Sequence, residues 1–272
     1  MIRLALRARP AHRLSLDGIV PERLAALPAG EIERIELRDG NRPCALGDWF
    51  AVRIEGAAEA RLVIAGDGAA LAMLDAVGGG MAGGEIAVEG DAGAYAGLAM
   101  SGGRLVVAGS AGHGAATAMQ GGEMRIGGDA GDQLGGALPG EKSGMRGGTV
   151  TVVGGVGAGA GDRMRRGLIL VRGAAGPFCG ARMAAGTIVV GGRVGAHAGL
   201  AMRRGSLLAL GGLSAVLPSF LDSGRPDLTF PRLLARLLTR EGMPALVPER
   251  PLRRWTGDHA LGGRGEILAA VG

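Results

Sequence analysis

Four histidines, two cysteines, a group of aspartates and a late run of arginines are the residues of this chain with chemistry to offer. Imidazoles brought together would hold a transition metal. His12, His113, His197 and His259 are scattered, and His113 and His197 fall 13 and 14 residues after Met100 and Met183. In a stack of repeats rising about 4.8 Å each they would stand roughly 20 Å apart, too far to share an ion. They read as surface loop residues. Cys44 and Cys179 lack the paired spacing of a zinc site, and reduced thiols are the simpler expectation. Asp91 and Asp129 share one place in a glycine–aspartate pattern, with Asp132 and Asp162 nearby. Calcium-binding coils use such a pattern with a shorter period. Here Ser110, Gly155, Ala174 and Arg193 replace the aspartate, so calcium is not expected. No metal ligand and no catalytic residue is expected in this chain.

The stretch Gly154-Gly-Val-Gly157-Ala-Gly159-Ala-Gly161 matches a loose glycine-loop pattern. A dinucleotide site needs a strand before such a loop and a helix after it. Met164-Arg-Arg-Gly and another strand-like run follow instead, so these glycines read as corners.

The arginines carry more. Arg146, Arg163, Arg165, Arg166, Arg182, Arg203 and Arg204 sit beside a recurring methionine, where the earlier repeats carry Ala82, Ser101 and Gln120. Stacking would align them in a strip about 15 Å long. Such a row of like charges is unfavourable unless something anionic meets it. Two readings stand: a solvated face, or a docking strip for an acidic subunit or a polyanionic cofactor tail.

The methionines that position these groups are Met81, Met100, Met119, Met145, Met164, Met183 and Met202, at steps of 19, 19, 26, 19, 19 and 19. Five residues after each comes Ile86, Leu105, Met124, Val150, Ile169, Ile188 or Leu207, and nine after each a glycine. A period near 20 predicts a stacked architecture. Glycine every few residues disfavours helices, at about 1 kcal/mol each relative to alanine. The fold class predicted is all-β, a right-handed parallel β-helix with one repeat per coil. The long unit places seven extra residues near Gly136–Ser143, which makes Gly136, Leu138, Glu141 and Lys142 the expected partner contacts.

Residues 1–42 read as N-terminal cap strands, 43–212 as repeats, and 213–272 as a C-terminal helix and extended tail. Leu4, Leu6, Leu14 and Leu16 alternate with polar residues, and so does Glu31-Ile-Glu-Arg-Ile-Glu-Leu37, as strands do. Pro21 can open a short helix. Thr229–Arg240 is an amphipathic helix, with Thr229 as N-cap and Leu233, Leu234, Leu237 and Leu238 on one face, predicted to cover the open end of the stack. The chain holds 55 glycines in 272 residues, about three times the usual share, yet 47% of it is apolar, which disorder would not produce. The formal charge of +5 permits an acidic partner, but with 3% aromatics and no known motif nucleic acid is not expected. No apolar run nears the roughly 20 residues that cross a bilayer, so a cytoplasmic chain is expected.

The core Gly-Gly-x-apolar-x-apolar-x-Gly with trailing Gly93 to Gly97 and Gly195 to Gly199 resembles the C-terminal glycine-repeat domain of the glutamate synthase large subunit. The whole chain, including Arg254-Trp-Thr-Gly257-Asp258 and Gly263-Arg-Gly265-Glu266-Ile267, resembles the C subunit of formylmethanofuran dehydrogenase. The resemblance implies a non-catalytic structural subunit of a one-carbon complex. One form is a formyltransferase/hydrolase complex of methylotrophs, in which formaldehyde is oxidised to formate through a formylated furan cofactor with a glutamate tail. The other is a dehydrogenase of methanogens with tungsten or molybdenum in another subunit. Partners implied are amidohydrolase-like and formyltransferase-like subunits. The methanofuran or methylofuran cofactor belongs to the complex and is not expected to bind this chain directly, unless the arginine strip holds its tail.

Overall fold

The computed structural model describes residues 1–56, 60–225, 229–248 and 251–270, with backbone only for 229–233. The chain is mostly β. Its strands are β1 (Ile2–Leu6), β2 (Leu14–Ser15), β3 (Glu36–Asp39), β4 (Arg42–Ala45), β5 (Phe50–Ile54), β6 (Arg61–Ala65), β7 (Leu74–Asp75), β8 (Glu85–Val88), β9 (Arg104–Val107), β10 (Glu123–Ile126), β11 (Arg146–Val152), β12 (Arg166–Val171), β13 (Thr187–Val190), β14 (Ser206–Ala209), β15 (Leu221–Asp222), β16 (Leu252–Gly257) and β17 (Gly265–Ala270). The helices are short: α1 (Pro21–Leu24), α2 (Ala29–Glu33), α3 (Leu46–Trp49), α4 (Gly68–Leu71) and the longer α5 (Thr229–Arg240).

Each repeat gives one strand because its apolar residues recur at alternate positions, which puts them on one face of an extended chain. In β8, Ile86 and Val88 are buried while Glu85 and Ala87 are only half-buried. These strands form a 13-stranded sheet in the order β15-β16-β17-β14-β13-β12-β11-β10-β9-β8-β6-β1-β5. All neighbours from β1 to β17 in that order run parallel, while β5 at one end and β16 and β15 at the other are antiparallel. The register places Ile86, Leu105, Met124, Val150, Ile169, Ile188, Leu207 and Ile267 side by side. A second column of parallel pairing runs through Ala92, Ala111, Ala130, Val156, Ala175, Val194 and Leu213. The seven methionines lie between these columns, all fully buried. A smaller sheet, β4-β3-β2-β7, stands beside the first strands.

Tight corners link the columns. The glycine three residues after each methionine has positive φ, +75° at Gly103, and a Cβ there would lie 2.7 Å from the Gly84 carbonyl oxygen. No side chain fits so close to a neighbouring backbone. The residue before the methionine is also left-handed, although it is Ala99, Ala118, Arg163, Arg182 or Ala201 (φ 52–59°). Non-glycine residues hold this conformation only where the surroundings impose it.

Three sequence expectations are corrected. Residues 29–33 form α2 and not a strand, because Pro28 starts a helical turn that buries Ile32, and alternation begins only at β3. Within the span read as repeats, Leu46–Trp49 is the helix α3, and the strand after it, β5, runs antiparallel. Helix α5 does not cover the end of the stack. Leu234 and Leu238 pack with Met243 and Leu246 on the outer face of the sheet, against Leu170, Val189, Leu208 and Leu268. Those outward residues are apolar in β12, β13 and β14, so the helix must shield them from water. The end of the stack is closed instead by the tail, which folds into β17 and β16. The cap at Thr229 and the side chain of Leu233 lie outside the described residues.

Met164 is fully buried, and its Cε reaches the Gly186 corner of the next repeat. Met164→Ala is expected to cost about 2–5 kcal/mol, since a stack of rigid rungs cannot collapse onto the cavity. Urea unfolding of the two proteins measures it, and a loss under about 1 kcal/mol would contradict this packing.

Candidate functional site

The arginine-bearing corner comes about as follows. Six of the seven repeats turn before their methionine through a left-handed residue, Gly144 before Met145 being the exception, and then start the next strand. Arg163 and Arg182 hold that left-handed place, while Arg165 and Arg203 follow their methionines, with backbone N–H groups bonded to the carbonyls of Met145 and Met183. The seven-residue insertion lies against the same corner. Gly140, Glu141 and Lys142 join Arg163, Arg165, Arg182, Ala184, Ala201, Arg203 and Leu261 around an open cavity of about 690 Å³.

The cavity thus unites four of the seven predicted arginines with two of the predicted loop contacts. Arg146, Arg166 and Arg204 are exposed at strand starts and do not line it; Arg146 and Arg166 are cross-strand neighbours. Gly136 is buried, and its carbonyl accepts the N–H of Ala118, so it shapes the loop from within. Leu138 is half-buried.

The guanidinium groups differ in what they do. Arg182 grips Asp162 with two bonds, Nε to Oδ1 at 2.8 Å and Nη2 to Oδ2 at 2.7 Å. The Asp162 side chain is only 6% exposed, so this bond compensates a buried carboxylate. Arg163 ties the insertion down by donating from Nη1 to the Glu141 carbonyl. Arg165, Arg203 and Lys142 are exposed and have no side-chain partner among the described residues. The sheet can neutralise charge where its residues allow: Arg61, Glu85, Arg104 and Glu123 alternate in sign across neighbouring strands, at 3.2, 4.0 and 3.8 Å. Arg165, Arg203 and Lys142 have no such pairing among the described residues, and one cavity gathers them.

A second cavity, about 320 Å³, adjoins the first through Arg182 and Ala201. Gln133, Asp162, Phe178, Ala181 and Leu200 complete its lining, with Ala158 and Gly159. Phe178 stacks on His197 at 5.0 Å between ring centroids. Sequence reading missed this pocket. Phe178 and Leu200 are 22 residues apart and share no motif, and only placing them on their repeats brings them together.

The other candidates resolve into structure. Asp91 and Asp129 each accept a backbone N–H of the following repeat, from Ser110 and Gly155, both at 2.7 Å. Asp132 does the same for Ala158 at 2.7 Å. They are rivets between repeats. His113 lies edge-on to Tyr95, exposed and four repeats from His197. No group of three metal-ligating side chains occurs among the described residues. Gly154–Gly161 is a corner leading into β12. Both cysteines are free; burial pushes the Cys179 thiol up to about 12, which keeps it protonated and inert. No described helix is long and apolar enough to cross a membrane.

Fold and face together define a stacked-repeat β protein that presents a basic, partly apolar surface. No protein-family model and no curated protein matches the chain. A solved structure does: the formyltransferase/hydrolase complex (FhcABCD) from Methylorubrum extorquens in complex with methylofuran. One chain of it is 42% identical to this one with a TM-score of 0.92, over 99% of this chain and 100% of that one. The chain belongs to the formylmethanofuran dehydrogenase C-subunit family, in its formyltransferase/hydrolase branch.

Asp258 links the tail to this corner, accepting the N–H of Ala201 at 3.0 Å and of Ala260 at 3.1 Å. Burial works against its charge, but bonds from Ser219, Ala201 and Ala260 and the nearby His259 outweigh it and hold the carboxyl below its usual range. A depressed folded value stabilises above the unfolded value of about 4 and is lost as pH falls through the folded one. Asp258→Asn is therefore expected to melt below the wild type at pH 6, with the gap closing towards about pH 2. Melting curves across that range test it, and a gap constant with pH would contradict the charge.

Proposed function

We propose that this chain is the non-catalytic structural C subunit of a formyltransferase/hydrolase complex, in which a formylated furan cofactor releases formate at the end of formaldehyde oxidation. The observation that carries this reading is the end-to-end match at 42% identity to a chain of a solved complex that holds methylofuran. Its partners are the amidohydrolase-like and formyltransferase-like subunits, which hold the reactive groups and any metals. A cytoplasmic setting goes with this, in keeping with two free cysteines.

The same reading takes the repeats as a right-handed parallel β-helix. Two columns of parallel pairing, joined by left-handed corners, support it, and so does the right-handed rule for crossovers between parallel strands. Residues 1–42 then form a cap, 43–212 the body and 213–272 the closing part, with β1 and β17 extending the body's sheet at its two ends. Wound this way, the body is a rigid post against which catalytic subunits can be set at fixed separations.

Co-expression with the two partner types and native mass spectrometry of the product tests the proposal. One complex containing this chain, with formyl transfer and hydrolysis absent from the chain alone, is the expected result. A chain that stays apart, or hydrolyses the formylated cofactor unaided, would refute it. Tungsten or molybdenum in the purified complex would move it to the dehydrogenase branch.

A further inference from the structure

We infer that the two joined cavities at the methionine corner receive an acidic segment of a partner subunit, which inserts an apolar side chain between Phe178 and Leu200 and sets carboxylates along Arg165, Arg203 and Lys142. The inference rests on the reading of this chain as a subunit and adds a face and a chemistry to it.

Three observations converge. The first is charge. Arg165, Arg203 and Lys142 stand in one cavity, with no side-chain partner among the described residues. Unopposed like charges repel, and a segment bearing carboxylates relieves that. Arg165 and Arg203 are two repeats apart, roughly 10 Å at the spacing of paired strands, which an extended acidic segment can span.

The second is apolar exposure. Six large apolar side chains are exposed among the described residues, and three of them, Phe178 at 40%, Leu200 at 39% and Leu261 at 62%, line these adjoining cavities. Exposed apolar groups clustered beside arginines are the composition of protein interfaces, where a buried anchor ringed by polar contacts carries most of the energy. A purely anionic tail would leave all three side chains in water. This favours a protein segment over a cofactor tail.

The third is preparation. Arg182 holds Asp162 at the junction of the cavities, and Arg163 holds the insertion loop through Glu141. The walls are braced before anything binds, which lowers the ordering cost of association.

The test uses the full chain co-expressed with its partner subunits. Arg165→Glu with Arg203→Glu forms one variant, and Leu200→Asp the other. Arg9→Glu, exposed near the β1 end, is the control. All replaced side chains are exposed, so circular dichroism and melting of the isolated variants should match the wild type. Each of the two test variants should lower the chain recovered in the complex by about tenfold or more, as loss of an interface anchor does, while the control assembles normally. Normal assembly of either test variant overturns the inference. Hexaglutamate peptide is titrated in parallel. Binding that depends on Arg165 and Arg203 while both variants assemble fully would assign the face to a polyanionic tail instead. A wild-type chain that joins no partner defeats the subunit reading itself, and is distinguished by the failure of all proteins alike.

Discussion

Each repeat gives its backbone N–H and C=O groups to the repeats above and below, and everything else follows from that exchange. Paired strands sit about 4.8 Å apart, and at the corners the backbones are closer than a Cβ allows. Glycine is therefore required at Gly103 and its equivalents, where the neighbouring carbonyl leaves no room. The interior between the two columns is narrow, so methionine, with its flexible and unbranched chain, fills it in every repeat. Aspartates at the edge accept the leftover N–H groups of the next repeat. Composition that looks low in information is the direct outcome of packing one backbone upon another.

The period made the body of this fold legible, because a repeated geometric demand leaves a repeated residue. It also put the late arginines and the insertion at one corner, where Arg163, Arg165, Arg182, Arg203, Glu141 and Lys142 are indeed gathered. What escaped notice is what occurs once. The α5 face and its docking surface lie far apart in sequence, although the change from alternating burial in β8 to continuous apolar runs in β13 and β14 marks the covered part of the sheet. The tail strands β16 and β17 carry no methionine corner, so the period could not announce them. The bond between Asp162 and Arg182 crosses between repeats at places the repeat leaves variable. The proposed contacts concentrate at such positions for the same reason: the scaffold does not dictate them.

This division of labour suits a chain whose kin is found in an assembly. The regular part supplies stiffness at many equivalent sites, with no single residue indispensable beyond its own rung. The irregular part (one insertion, a few arginines, three exposed apolar side chains) carries the contacts proposed for it.

A parallel stack has no natural length, since each new rung leaves the edge it found. Here the chain reverses direction at both extremities, with β5 antiparallel to β1 and β16 antiparallel to β17. A reversed strand offers an edge of different hydrogen-bond spacing from the one that a further parallel rung would need. The molecule is thus a polymer that terminates itself. Its count of rungs is an inherited dimension, and any protein fastened at both ends is held at a separation that can change only in whole steps.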